Sequence, residues 1–128
     1  MAKIAYKRRQ EKGERTPVHI KLRKDDMVKV IAGRDKGKTG RILDVNEKTG
    51  RVLVEHVNVV KRHMRRNPAK QIAGGIAERE APIAVSNVMI LCGKCGAVRI
   101  KHHVDHTPNG KTRRQRICHK CGQSLDKK

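Results

Sequence analysis

In the apolar stretch Met27-Val28-Lys29-Val30-Ile31, Val28 and Val30 flank Lys29, which places the two valines on one face of a predicted strand and Lys29 on the other. The texture recurs in Arg41-Ile42-Leu43-Asp44-Val45 and in Arg51-Val52-Leu53-Val54-Glu55. The turn-rich stretches Gly33-Arg34-Asp35-Lys36-Gly37 and Glu47-Lys48-Thr49-Gly50 separate the three. Short strands divided by Gly-containing turns predict a small all-β barrel or half-barrel. Strand-like texture returns from Ile76 to Leu91, broken at Ser86-Asn87.

The remaining segments lack this alternation. Lys61 to Gly75 holds Lys61, Arg62, Arg65, Arg66 and Lys70, no acid, then Pro68 and Gly74-Gly75. It predicts a long basic loop, and a loop of that length in a small protein is usually functional or disordered. Residues 1 to about 19 carry few large apolar side chains (Met1, Ile4, Tyr6 and Val18), and Met1 to Lys24 carries nine Lys or Arg against two acids. Such an arm is solvated when free and orders along phosphates when bound. Cys92 to Lys128 is bounded by cysteines, with His102, His103 and His106 in its middle. The expected organisation is therefore a basic arm (1–20), a barrel (21–91) with its loop at 61–75, and a C-terminal extension (92–128).

Charge changes this picture most. Lys and Arg number 32 against 12 Asp and Glu, a formal +20. Such a body repels itself until a polyanion neutralises it, and nucleic acid gains further from released counterions. With no Trp, no Phe and one Tyr, the core must be thin and aliphatic. Base stacking on aromatic platforms is nearly excluded, so recognition should run through phosphates, sugars and RNA shape. A membrane partner fits poorly: the apolar face of a surface helix is missing, and no run of about 18 apolar residues occurs. Met1 to Thr16 has no apolar h-region, so a secretory signal is not expected.

Enzymatic constellations fail on inspection. Gly33-Arg34-Asp35-Lys36-Gly37-Lys38-Thr39 resembles a phosphate loop, but its glycines are one residue too close and a strand, not a helix, follows. Asp25 and Asp26 are adjacent, so on a strand they face opposite ways and suit a turn better than acid–base work. The same glycine-rich turn serves RNA better. Gly33, Gly37 and Gly40 are expected to adopt positive φ and let backbone approach phosphates, with Lys36, Lys38 and Arg41 around them.

Cys92-Gly93-Lys94-Cys95-Gly96 and Cys118-His119-Lys120-Cys121-Gly122 are both C-x-x-C-G, with 22 residues between the pairs. A hairpin turning at Asn109-Gly110 would bring them together. Four sulfur ligands favour tetrahedral, structural zinc with no open position. A redox dithiol, an iron–sulfur cluster and four free thiols are the rival readings, and the histidines are expected to be spare polar residues. Val98, Ile100, Val104 and Ile117 are too few to offset the ordering of about 30 residues at roughly 1–2 kcal/mol each. A zinc worth on the order of 10–16 kcal/mol would then organise the extension, while the barrel should not need it.

Lys21 to Arg65 resembles the KOW module through Asp26-Met27-Val28-Lys29-Val30-Ile31, Gly33, Lys36-Gly37-Lys38-Thr39-Gly40, Val52-Leu53-Val54-Glu55 and Asn58-Val59-Val60-Lys61-Arg62-His63. KOW modules also occur in transcription elongation factors, which leaves a transcription-linked RNA-binding factor as the alternative. Such factors normally place a globular domain before the module, and residues 1–19 are too short for one. Gly74-Gly75-Ile76-Ala77-Glu78-Arg79-Glu80-Ala81-Pro82-Ile83 and Val85-Ser86-Asn87-Val88 resemble the downstream signature of bacterial large-subunit ribosomal protein twenty-four, over roughly residues 20 to 121.

The resemblance implies an SH3-like (KOW) barrel, mainly β, with the C-terminal pairs forming a zinc-ribbon-like hairpin. It implies a non-enzymatic, ribosome-bound cytoplasmic protein on the 5′ region of 23S-type rRNA. It further implies a role in early subunit assembly, neighbouring ribosomal proteins as partners, and a loop at the nascent-chain exit tunnel on Lys61 to about Gly75. The residues expected on RNA are Lys21, Arg23, Lys24, Lys36, Gly37, Lys38, Arg41, Asn58, Lys61, Arg62, His63, Arg65 and Arg66. Cys92, Cys95, Cys118 and Cys121 are expected on zinc, and no small-molecule substrate is implied. The long arm departs from the usual family start.

Overall fold

The structure is a computed structural model that describes residues 18–126. The arm expected at residues 1–20 lies outside them except for its last three positions.

β1 (Met27–Val30) lies inside a six-stranded antiparallel sheet. It pairs on one side with β2 (Thr39–Asn46), which pairs with β3 (Arg51–Val54) and then β6 (Ile83–Ala84). On its other side it meets β7 (Val88–Cys92) and then β8 (Gly96–Val98). Val28 faces Gly40 across one ladder and Ile90 across the other. The predicted alternation is realised: Val28, Val30, Ile42, Val52 and Val54 all turn inward, joined by Val57, Val88 and Ile90. Ile20 and Leu22, from the segment before β1, complete the aliphatic cluster. A bulge at Leu43, where Ile42 faces Val54 but Asp44 faces Leu53, bends β2 over this core.

Two hairpins leave the sheet. The first joins β4 (Val59–Met64) to β5 (Gly75–Glu80), in register from Val59↔Glu80 to Met64↔Gly75. Residues 61–64 and 75, expected in a loop, are thus paired strand. Side chains on this hairpin are exposed or half-buried on both faces, so no apolar alternation marks it. Its tip is a short 3-10 turn, Pro68–Lys70, where the Asn67 side chain accepts from the Ala69 N–H at 3.2 Å. The second hairpin joins β9 (Ile100–His106) to β10 (Thr112–Cys118). It turns at the predicted Asn109-Gly110, where Gly110 has a φ of 72° and its N–H reaches the Thr107 carbonyl.

The division expected at residue 91 falls within β7. Cys92, Val98 and Cys118 belong to the same buried cluster as Val28 and Ile90, so one core runs from the six-stranded sheet into the cysteine-rich end. Among the described residues no α-helix forms, and no helix is long and apolar enough to cross a membrane.

Candidate metal centre and nucleic-acid interface

The two C-x-x-C-G sequences become two tight turns. Cys92 ends β7 and faces Gly96 of β8, so the first turn is the β7–β8 connection. The second follows β10: the Gly122 N–H reaches the Cys118 carbonyl at 3.0 Å and the Cys118 N–H reaches the Gln123 carbonyl at 2.8 Å. Gly96 and Gly122 hold φ values of 79° and 70°, a conformation that glycine adopts without a Cβ clash. The second turn is carried to the first by the root of the hairpin, where Cys118 faces Ile100 and the His119 N–H bonds the Arg99 carbonyl.

The four Sγ atoms lie within 4.8 Å of one another, with Cys92 and Cys121 at 3.6 Å. A tetrahedral ion with metal–sulfur bonds of about 2.3 Å spaces its sulfurs about 3.8 Å apart, so the donor set fits. The Lys94 and Cys95 N–H groups bring the Cys92 thiol down to about 7. Cys118 is lowered in the same way, first by the Cys121 N–H. Cys95 is pushed up to about 12, first by the Cys121 thiol beside it and then by burial and Cys118. Turn amides thus favour two thiolates, and crowding opposes more until a cation offsets the charge. The metal-ligand cluster found among the described residues is these four cysteines, without His102, His103 or His106.

A second constellation has no signature in the sequence. Arg116 is 4% exposed and Asp26 7%. The guanidinium meets Asp26 in a two-pronged pair, Nη1 to Oδ2 at 2.5 Å and Nη2 to Oδ1 at 3.1 Å. Its Nε donates to Asp126 at 2.7 Å, its backbone N–H donates to the other Asp126 oxygen, and Nη1 also reaches the Lys21 carbonyl. Burial alone would raise the Asp126 carboxyl, but the Arg116 N–H and guanidinium outweigh it and hold the group below the usual carboxylate range. Asp26 therefore does sit at a turn, beside Asp25 with a φ of 68°, and it is also the buried counter-ion of β10.

The basic turn is built as expected in part. Gly33 and Gly37 adopt φ of 99° and 92°. Gly40 does not; it is buried in β2, where an added Cβ would lie 2.5 Å from the Glu55 carbonyl oxygen. Its expected role as a backbone opening for phosphate is corrected: it permits close strand contact.

Asp35 ties the turn down, accepting from Lys38 Nζ at 2.6 Å and from the Asn58 N–H at 2.7 Å. These bonds, Lys38 first, lower its carboxyl pKa. The Asn58 side chain is spent internally, accepting from Arg34 and donating to the Ala81 carbonyl. Arg41 lies 3.7 Å from Glu55. Of the residues expected on RNA, all but Asn58 are exposed. Lys36, Gly37 and Lys38 share the turn, Lys61 to Arg66 run along β4 and just past it, and Lys21, Arg23 and Lys24 lie on the segment before β1.

The antiparallel sheet, its glycine–lysine turn and the match of residues 24–55 to the KOW motif define the class: a KOW-motif β protein. Residues 57–125 match the family described as large ribosomal subunit protein uL24, C-terminal domain. The large ribosomal subunit protein uL24 of Solibacter usitatus is 64% identical over 113 residues, 88% of this chain and 92% of that one. The uL24 protein of Carboxydothermus hydrogenoformans is 53% identical, over 84% of this chain and 97% of its own. That of Treponema denticola is 42% identical, over 83% and 96%. The chain belongs to the uL24 family.

Proposed function

We propose that this chain is a non-catalytic structural constituent of the large ribosomal subunit, bound in the cytoplasm to the 5′ region of 23S-type rRNA. It assists early assembly there beside neighbouring ribosomal proteins. In this reading the SH3-like barrel at 21–91 grips RNA through Lys36, Gly37, Lys38 and Arg41, with Lys21, Arg23 and Lys24 extending the contact. The β4–β5 hairpin, with Lys61, Arg62, His63, Arg65 and Arg66, reaches toward the exit tunnel and the nascent chain. The basic arm at 1–20 lies along phosphates. Asn58 shapes the turn rather than touching RNA directly. Cys92, Cys95, Cys118 and Cys121 hold a structural zinc that orders the ribbon-like end at 92–128. The relatives, named as ribosomal proteins, favour this over a transcription factor.

The observation that carries the reading is the exposure of the cations on one turn and one hairpin, where each neutralised phosphate releases counterions. Changing Lys36, Lys38 and Arg41 together to Ala should lower the log–log salt slope of rRNA binding by about 0.7–0.9 per lost contact. An unchanged slope rejects the assignment of this turn to RNA.

A further inference from the structure

The β9–β10 hairpin has a buried root and an exposed body. Cys118 and Arg116 are buried and Ile100 and Ile117 half-buried, whereas the stretch from Lys101 to Val104 and that from Lys111 to Arg114 are exposed. A two-stranded ribbon open on both faces is marginal in water and gains from a surface to lie against. Cross-strand partners share a face. His102, Val104 and His106 therefore lie with Arg114 on the face that Arg116 occupies at the root, and that face carries no acid. Lys101, His103 and Arg113 share the other face with the ribbon's one acid, Asp105, which His103 meets at 3.0 Å. Val104 is the ribbon's exposed large apolar side chain, at 40%. One valine is a poor anchor for a protein partner, whose interface core needs clustered apolar groups.

We propose that this ribbon is a second RNA-binding arm, separate from the basic turn and the β4–β5 hairpin. Its acid-free face lies along the sugar–phosphate backbone, with Arg114 and the two imidazoles at phosphates. Lys101 and Arg113 reach a neighbouring strand from the opposite face. The Arg116 clasp and the cysteine centre fix its root, so less freedom is lost when it docks. The proposal rests on the chain's being an rRNA binder.

The test uses the full chain, loaded with zinc, on large-subunit rRNA. The triple variant Lys101→Ala, Arg113→Ala, Arg114→Ala should lower the salt slope by about 2. It should also uncover a block of RNA backbone different from the block uncovered by changing Lys36, Lys38 and Arg41. A slope and footprint identical to those of the unmodified protein overturn the proposal. Amide exchange on the unmodified protein gives an answer that does not depend on how the variant folds. Lys101–His106 should gain protection when RNA is added, and no gain overturns the proposal. Protection that needs other ribosomal proteins assigns the ribbon to a protein partner and also overturns it. If the unmodified chain shows no salt-dependent binding, the rRNA reading itself falls. If only the ribbon variant is without effect, the ribbon alone is wrong.

Discussion

In the six-stranded sheet Val28, Ile42 and Val52 have no exposed surface, whereas no residue of β4 or β5 is buried. Both regions are antiparallel pairings of similar strands. The sheet is held by its side chains, since burying a valine or isoleucine contributes roughly 1.5–3 kcal/mol. The hairpins are held by backbone ladders and by their attachments: β4–β5 through Asn58 and Ala81, β9–β10 through Arg116 and the cysteine turns. A small aliphatic core can thus carry long polar projections, provided each root is fastened. Damage to a root should spread inward, and damage to a tip should stay local.

The largest effect should follow loss of the zinc proposed at the four cysteines. A strong chelator, or Cys92→Ser with Cys95→Ser, should abolish amide protection across β8 to β10. It should also weaken β7, because Cys92 and Cys118 sit in the cluster that holds Val28 and Ile90. The sequence by itself suggests that residues 25–90 are spared, so exchange in β7 separates a shared core from an independent extension. Protection unchanged in chelator, with no stoichiometric zinc in the purified protein, removes the metal from the account.

Next comes the clasp. Arg116→Met leaves Asp26 buried without its guanidinium and should cost about 3–5 kcal/mol in denaturant unfolding. Adding Asp26→Leu should recover part of that loss, and no recovery would mean that Arg116 acts through packing alone. Asp126 gives the pair a pH signature. Its folded pKa is depressed, so its contribution is present above the unfolded value of about 3.9 and fades as pH falls through the folded one. The Arg116→Met protein should lose less stability than the parent over that acid range.

Gly40→Ala should be milder, lowering stability by about 1–3 kcal/mol as β2 and the Glu55 backbone move apart. Gly93→Ala is the control: the position has ordinary φ and open space around it, and its melting temperature should not move. Equal effects at the two sites would discount the strand contact. The smallest effect belongs to the β4–β5 tip. Shortening residues 66–73 should leave unfolding within about 0.5 kcal/mol of the parent, as for surface changes generally. Failure to fold would show that this hairpin supports the sheet.

The same contrast explains which parts of the molecule are legible in the sequence alone. β1, β2 and β3 are legible because Val28, Val30, Ile42, Val52 and Val54 lie in short β-branched runs bounded by Gly-containing turns. The cysteine centre is legible because C-x-x-C-G is short and local. The outer parts of the two hairpins are not, because Lys, Arg and His occupy both faces and no periodicity survives. Arg116 looks like one of 32 basic residues, and its partners stand 90 and 10 positions away, beyond any spacing rule. Gly40 sits among glycines that read together as turn residues, yet a close strand contact is what it serves.

Timing adds a consequence. β1 lies inside the sheet, but Val28 pairs with Ile90, which is made about 60 residues later. At ~5–20 residues per second of synthesis, the nascent sheet keeps one side of β1 open for about 3–12 s. During that interval Lys29 and the neighbouring cations of the basic turn repel other copies of the chain, and the same cations are free to hold an RNA surface. The positive charge on which the RNA reading rests also shields the unfinished edge from its own kind.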